Sequence, residues 1–105
     1  MFCHVATISF RNVVSQDTRD EILNMLRSLG EKCGGRRFGV VSWNVGKNLD
    51  VRKKNKHIHL VEVAIFEDED AFNNFCQNPV HREAGETLAK IADWNTSNFI
   101  MSGDV

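Results

Sequence analysis

Four short stretches of the chain are rich in apolar and β-branched residues, and these predict four β-strands. The predicted strands cover residues 2–11, 37–45, 57–66 and 96–101. The third, HIHLVEVAIF, contains no glycine or proline, and both of its faces are mostly apolar when side chains alternate across the sheet. We therefore expect this strand to be covered on both sides.

Apolar residues spaced three and four positions apart predict helices between these strands. The first helix follows the capping residue Ser15 and ends at Gly34. A second begins in the acidic run 67–70, where carboxylates suit the positive end of the helix dipole, and Pro79 ends it. A third helix covers residues 80–94, and a polar loop, residues 47–56, joins the second strand to the third.

The order β-α-β-β-α-α-β predicts an α+β, ferredoxin-like fold in a single domain spanning residues 1–105. In that fold a four-stranded antiparallel sheet carries its helices on one face only. The first and third strands are then predicted to be central neighbours that run parallel to each other.

The uncovered face of the sheet is predicted to be a dimer interface. With the strands arranged in this way, that face carries Val5, Thr7, Ile58, Leu60 and Glu62. Monomers rarely expose a large apolar patch, and a second copy packing sheet to sheet would cover it. We therefore expect a homodimer in which two subunits close into an α/β barrel.

Three histidines are predicted to meet beneath the helices. Parallel strands would carry His4 and His59 to one end of the sheet, and the helix after the third strand would return His81 to that end. The predicted surroundings are apolar: Ile8, Phe10, Ile22, Leu26, Phe72 and Phe75. An apolar cavity with a few polar groups is the usual form of a small-molecule site, so we predict a pocket for a hydrophobic ligand.

Composition and net charge limit the classes of partner that the protein is expected to have. A net charge of −1 over 105 residues gives no general basis for binding nucleic acid, and the basic run 52–56 fits a solvated loop. No apolar run approaches the ~20 residues that cross a membrane. Three cysteines without CxxC spacing indicate free thiols in a reducing compartment, which favours the cytoplasm.

A metal site is the other use to which three histidines could be put, since they can hold zinc and leave a fourth position open. The carboxylates that orient metal-bound histidines are not obviously near them in the predicted fold. We therefore expect neither a metal nor another cofactor.

Several motifs resemble the stress-responsive dimeric α/β-barrel domain family. They are the strand of residues 4–10, Gly46-x-Asn48, HLVEV at 59–63, FEDEDA at 66–71 and NPVH at 78–81. The resemblance spans residues 2–99 and implies a homodimer of ferredoxin-like subunits. Some members are cofactor-free polyketide cyclases of the plant olivetolic acid cyclase type.

The resemblance also implies roles for individual residues. The pocket histidines of those cyclases match His4, His59 and His81, whereas their pocket tyrosine matches Phe75, which has no hydroxyl. The more usual His-Pro-x-His turn of the family begins here with Asn78. These departures favour a related lyase, cyclase or isomerase with a different hydrophobic substrate.

Histidine chemistry gives a mechanism to this hypothesis, because imidazole gains and loses a proton near neutral pH. We assign His81 as general base toward a carbon or hydroxyl next to a carbonyl. His59 would orient it or donate to the developing oxyanion, and His4 would shape the pocket or complete a proton relay. The substrate would be a carbonyl-rich, polyketide-like metabolite. A non-catalytic stress-response homodimer, or a protein that only binds a small ligand, is the alternative.

Overall fold

A computed structural model describes residues 1–104 as four strands, three helices and two short 3-10 turns. The strands are β1 (Phe2–Phe10), β2 (Val40–Lys47), β3 (Leu60–Phe66) and β4 (Ala92–Ile100), and the helices are α1 (Gln16–Lys32), α2 (Glu69–Gln77) and α3 (Pro79–Ala89). The sheet has the order β2-β3-β1-β4, and every neighbouring pair is antiparallel. This confirms the predicted α+β, ferredoxin-like fold. None of the helices within residues 1–104 is long and apolar enough to cross a membrane.

Side-chain caps fix where each helix begins. The Ser15 hydroxyl accepts a hydrogen bond from the Thr18 amide at the start of α1. Asp68 does the same for α2, and Asn78 caps α3 immediately before Pro79. Each cap satisfies backbone N–H groups that the first helical turn leaves without an intrahelical partner. The predicted helix starts are therefore confirmed to within two residues.

Four predicted boundaries are wrong because pairing and turn geometry override local pattern. The third helix ends at Ala89 rather than at residue 94, and β4 begins at Ala92 rather than at residue 96, because β4 pairs with β1 as far as its end at Phe10. The second strand begins at Val40 rather than at residue 37, because glycines at 34, 35 and 39 with positive φ build a 3-10 turn before it. The third strand begins at Leu60 rather than at residue 57.

The predicted parallel arrangement of β1 and β3 is also wrong, because the two strands are antiparallel. Helix α1 returns the chain, so β2 enters the sheet in the same direction as β1. The chain then reverses after β2, and β3 inserts between β2 and β1 with the opposite direction. The register places Ala6 opposite Glu62 and Ile8 opposite Leu60.

This register exchanges the two faces that the sequence analysis assigned to β3. Leu60 and Glu62, predicted at a dimer interface, are 3% and 7% exposed and face the helices. Ile58 lies before the strand rather than in it. The open face is half-buried within the subunit and carries Val5, Thr7, Val61, Val63 and Ile65.

Trp43 of β2 locks the sheet against α1. Its indole Nε1 donates a hydrogen bond to the Leu26 carbonyl at 2.8 Å, and its ring lies 5.2 Å from that of Phe75. A Cβ atom at Gly30 would lie only 2.6 Å from the Trp43 ring. The helix can therefore approach the sheet this closely only where position 30 has no side chain.

We expect Gly30→Ala to destabilise the protein by about 1–3 kcal/mol, because a methyl group there forces overpacking against Trp43. Gly85→Ala is the matched control, since it also lies inside a helix but a Cβ there meets nothing within 4 Å. That substitution should stabilise the protein by about 0.5–1 kcal/mol. Urea unfolding of both variants measures the difference, and equal effects would contradict the close packing.

Candidate active site

A cavity of about 260 Å³ lies between the helix-facing side of the sheet and the three helices. Its walls are mostly apolar: Ala6, Ile8, Leu26, Leu29, Phe72, Ala84, Leu88 and Trp94. Its polar groups come from separate elements: His4, Glu62, Cys76, His81, Thr96 and Asn98. Small-molecule sites commonly combine apolar walls with a few convergent polar groups in this way.

His4 and Glu62 form a buried pair on the floor of this cavity. The Nε2 atom of His4 lies 3.3 Å from a Glu62 carboxylate oxygen, and its Nδ1 lies 2.6 Å from Asn98 Oδ1. Two acceptors are satisfied at once only when both ring nitrogens carry protons, which is the imidazolium form. Burial would lower the pKa of His4, but the hydrogen bonds to Glu62 and Asn98 and the Glu62 charge together raise it. His4 therefore holds a positive charge to higher pH than an exposed histidine.

His81 has the opposite electrostatic character. It lies in the first turn of α3, its Nδ1 is 3.3 Å from the Cys76 carbonyl oxygen, and its ring lies 4.7 Å from that of Phe75. Burial lowers the pKa of His81 and prevails over the hydrogen bond to the Cys76 carbonyl and the Glu62 charge, which both raise it, while the positive charge of His4 acts in the same direction as burial. The Cys76 carbonyl accepts a hydrogen bond from Nδ1–H, so the neutral ring keeps its lone pair on Nε2. That nitrogen can act as a base near neutral pH.

His59 lies outside this cavity, so the prediction that three histidines converge is wrong. The reason is the antiparallel pairing, which places residue 59 beside Ile8 at the other end of β1. The His59 amide donates to the Ile8 carbonyl at 2.8 Å, and the Phe10 amide donates to His59 Nδ1 at 2.9 Å. His59 thus extends the hydrogen bonding of the sheet and lines a second cavity.

The other residues predicted for the pocket divide between several places. Ile8, Leu26 and Phe72 line the cavity beside His4 and His81. Phe10 lines the second cavity, and Ile22 is buried in the core without lining either. Phe75 does not line the cavity, but its ring packs against the ring of His81.

Three important residues that line the cavity were not predicted from the sequence, namely Glu62, Asn98 and Trp94. Glu62 was assigned to the opposite face, and residue 94 was assigned to a helix. An antiparallel pairing of β1 and β3 would have revealed Glu62, because it puts residues 4, 6, 62 and 64 on one face. Trp94 depends on where β4 begins, which carries no clear local signal, and Asn98 depends on the register that places it opposite His4.

The remaining chemistry of the cavity is limited. Burial raises the pKa of Cys76, so its thiol stays protonated and is a poor nucleophile. Within residues 1–104, no group of three or more histidine, cysteine or carboxylate side chains is arranged to hold a metal ion. Acid–base and electrostatic chemistry by the two histidines is what this arrangement can support.

Comparison with known proteins gives one family and a set of similar folds. The family model of the stress responsive A/B barrel domain matches residues 2–100. A sequence search of curated proteins gives no match.

Three solved structures illustrate the similar folds. Hydroxynitrile lyase from Passiflora edulis is 17% identical with a TM-score of 0.82, over 96% of this chain and 93% of that one. A dimeric ferredoxin-like protein of unknown function from Thermobifida fusca is 21% identical with a TM-score of 0.81, over 95% and 90%. SnoaB, a cofactor-independent oxygenase from Streptomyces nogalater, is 14% identical with a TM-score of 0.71, over 96% and 92%. At these identities the likeness establishes the fold alone.

Replacing Glu62 by glutamine should lower the pKa of His4, because it removes the carboxylate charge that opposes the effect of burial. In the wild type the pKa of His4 is raised on folding, so protonated His4 contributes its full stabilisation of the fold below pH 6.5, the ordinary pKa that applies to the unfolded chain. This stabilisation is lost as the pH rises through the folded-state pKa. NMR titration of the imidazole measures the shift, and Glu86→Gln on the exposed surface is the control. An unchanged His4 pKa in Glu62→Gln would contradict the proposed pair.

Proposed function

Because this chain belongs to the stress-responsive A/B barrel domain family, we propose that it is a cofactor-independent enzyme acting on a small hydrophobic carbonyl compound. The observation that carries the proposal is that one apolar cavity holds two histidines in opposite protonation states. His81 is held neutral there, while His4 is held as a cation by Glu62. Two titratable groups whose pKa values are pushed apart are the usual basis for assigning a base and an electrostatic partner.

The first step would be removal of a proton by Nε2 of His81. The proton would come from a carbon or hydroxyl next to the substrate carbonyl, and negative charge would develop on the carbonyl oxygen. Both N–H groups of His4 are already bonded to Glu62 and Asn98. His4 would therefore stabilise this charge through its field rather than through a direct hydrogen bond. The Glu62 carboxylate offsets part of that field, and the apolar walls strengthen what remains by excluding water. The protonated His81 would then return its proton to the product.

Reactions of the lyase, cyclase and isomerase types all use such a proton transfer. A hydroxynitrile lyase and a cofactor-independent oxygenase share the fold, which supports a small-molecule enzyme as the general class. The cavity volume of about 260 Å³ favours a small substrate, such as a short polyketide-like compound. We do not assign His59 to this reaction, because it lies in the other cavity.

A non-catalytic role as a ligand-binding protein is the second candidate. It is favoured by the complete engagement of the His4 ring by protein atoms, as expected of a structural histidine. The absence of a hydroxyl at Phe75 points the same way, since it removes one donor that could hold a substrate oxygen.

We further propose that the protein acts as a homodimer through the open face of its sheet. Half-buried β-branched residues occupy the centre of that face, with Val5 directly opposite Val63. A second subunit packing sheet to sheet would remove this apolar surface from water. The similar protein from Thermobifida fusca is dimeric, which supports the proposal.

The domain and its compartment complete the proposal. We propose that residues 1–105 act as one domain, since one hydrophobic core joins the helices to the sheet. Cys3, Cys33 and Cys76 are free thiols, which supports a reducing compartment such as the cytoplasm.

Replacing His81 by glutamine should lower kcat/KM about 10²–10⁴-fold, because the general base is removed while the side chain remains polar. Initial rates on a panel of small β-diketones, β-keto esters and hydroxynitriles measure the effect. In the wild type kcat/KM should fall as the pH drops through the pKa of His81, which lies below 6.5. A base acts only in its unprotonated form, which fixes this direction.

His57→Gln is the matched control for that variant, because His57 is an exposed histidine that lines neither cavity. Its turnover should equal that of the wild type, and circular dichroism should show all three proteins folded. Unchanged turnover in His81→Gln would refute the assigned base. Binding of panel compounds in the cavity without turnover of any of them would favour the ligand-binding role.

A lysine in place of Val63 should convert the dimer into a monomer, because it puts a charge at the centre of the proposed interface. Val13→Lys is the control, since Val13 is 93% exposed in a loop and its substitution should leave the dimer intact. Light scattering after size-exclusion chromatography gives the mass of each species. A monomeric wild type would refute the dimer.

A further inference from the structure

The second cavity, of about 380 Å³, lies between the N-terminal half of α1 and the loop that joins β2 to β3. Asn48 holds that loop in shape. Its side-chain amide lies within 3.2 Å of the carbonyl oxygens of Asp50 and Asn55 and 3.0 Å of that of Ile58. One amide thus ties both ends of the loop together, so the outer wall of the cavity is built by specific contacts.

Cationic side chains dominate the lining of this cavity. Arg19, Lys47 and Lys56 contribute to it, together with the two carboxylates of Asp20 and Asp50. Both carboxylates already have partners. Asp20 lies 3.7 Å from Lys47, and Asp50 is held at 2.7 Å by Arg52, which does not line the cavity. Across residues 1–104 neither Arg19 nor Lys56 forms a salt bridge, so neither charge is paired with a carboxylate. Within that same part of the chain, the Arg19 guanidinium donates hydrogen bonds only to the backbone carbonyls of Val14 and Arg11, which leave its charge in place.

His59 adds a neutral donor whose direction is fixed by the sheet. Its Nδ1 accepts the Phe10 amide at 2.9 Å, so the neutral ring carries its proton on Nε2, the nitrogen that does not contact β1. Burial lowers the pKa of His59, and the charges of Arg19 and His57 lower it further. The ring therefore sits in positive surroundings that a negative charge would relieve.

Apolar side chains form the rest of the wall. Phe10, Leu23 and Leu60 are buried and line the cavity from the core side. The Arg19 guanidinium lies 5.3 Å above the Phe10 ring, which holds the charge beside this apolar surface. A ligand that matches both the cationic and the apolar side chains of this lining must carry a negative group on an apolar body.

We propose that this cavity binds a small organic anion, a carboxylate or phosphate ester with an apolar body. The anionic group would lie between Arg19, Lys56 and Nε2–H of His59, and the apolar body would pack against Phe10 and Leu23. This site goes beyond the proposed function, because it lies at the opposite end of β1 from His4 and shares no lining residue with the first cavity. The anion bound there would be a second ligand of the protein, separate from the substrate proposed for the first cavity.

Titration of isotope-labelled protein with benzoate, phenyl phosphate and benzamide tests the proposal by NMR. Benzoate, phenyl phosphate or both should shift the amide signals of residues 48–60 and raise the pKa of His59, and the tighter of the two identifies the anionic group. Benzamide has nearly the shape of benzoate without its charge and should do neither. Equal binding of benzamide, or shifts confined to residues that line the first cavity, would overturn the proposal.

A pair of lysine variants localises the binding. Lys56→Gln should weaken the affinity for the anion about two- to fivefold, as expected for the loss of one exposed charge contact. Lys53→Gln removes the same charge from the same loop at a residue that does not line the cavity, and it should leave the affinity unchanged. An equal loss in both variants would mean non-specific attraction to the basic loop and would refute the site. Both results are independent of whether His81 is catalytic.

Discussion

The antiparallel pairing of β1 with β3 at the centre of the sheet is the constraint on which the candidate site depends. It places Glu62 diagonally across from His4 on the helix-facing side, within reach of a long side chain. Two ionisable groups are thereby buried together, 8% and 7% exposed. Burying either charge alone would cost several kcal/mol, so each is tolerated only because the other is 3.3 Å away. The charge in the cavity is thus a consequence of strand register.

One carboxylate also accounts for the different states of the two cavity histidines. Burial lowers the pKa of both His4 and His81, so the apolar walls by themselves favour two neutral rings. Glu62 contacts His4 directly and overcomes burial there, whereas it reaches His81 only through its longer-range field. Burial therefore remains the largest effect at His81 and keeps its pKa below the ordinary value. A single buried acid in an apolar cavity is therefore enough to keep one histidine positively charged while the other stays neutral and can act as a base.

Features set by neighbouring residues could be predicted from the sequence, whereas those set by distant pairing could not. The cap at Ser15, the helix start in the acidic run 67–70 and the buried face of β1 depend on local pattern, and the structure agrees with them. The direction of β3 depends on how the chain returns through α1 and β2. Once that direction was assigned wrongly, Glu62 moved to the wrong face and His59 to the wrong end. The family resemblance named His4 and His81 but could not supply their partners.

Three of the four histidines are held in three different states, and for each of the three the bonding partner favours its state. His4 donates from both nitrogens to side-chain oxygens, which favours the cation. His81 donates from Nδ1 to a backbone carbonyl and keeps its lone pair on Nε2. His59 accepts a backbone amide at Nδ1 and keeps its proton on Nε2. The same side chain is thus suited to stabilising an anion by charge, removing a proton, or donating a hydrogen bond. Since each partner is fixed by strand register or by a helix cap, the chemistry of both cavities follows from the backbone arrangement rather than from residue type.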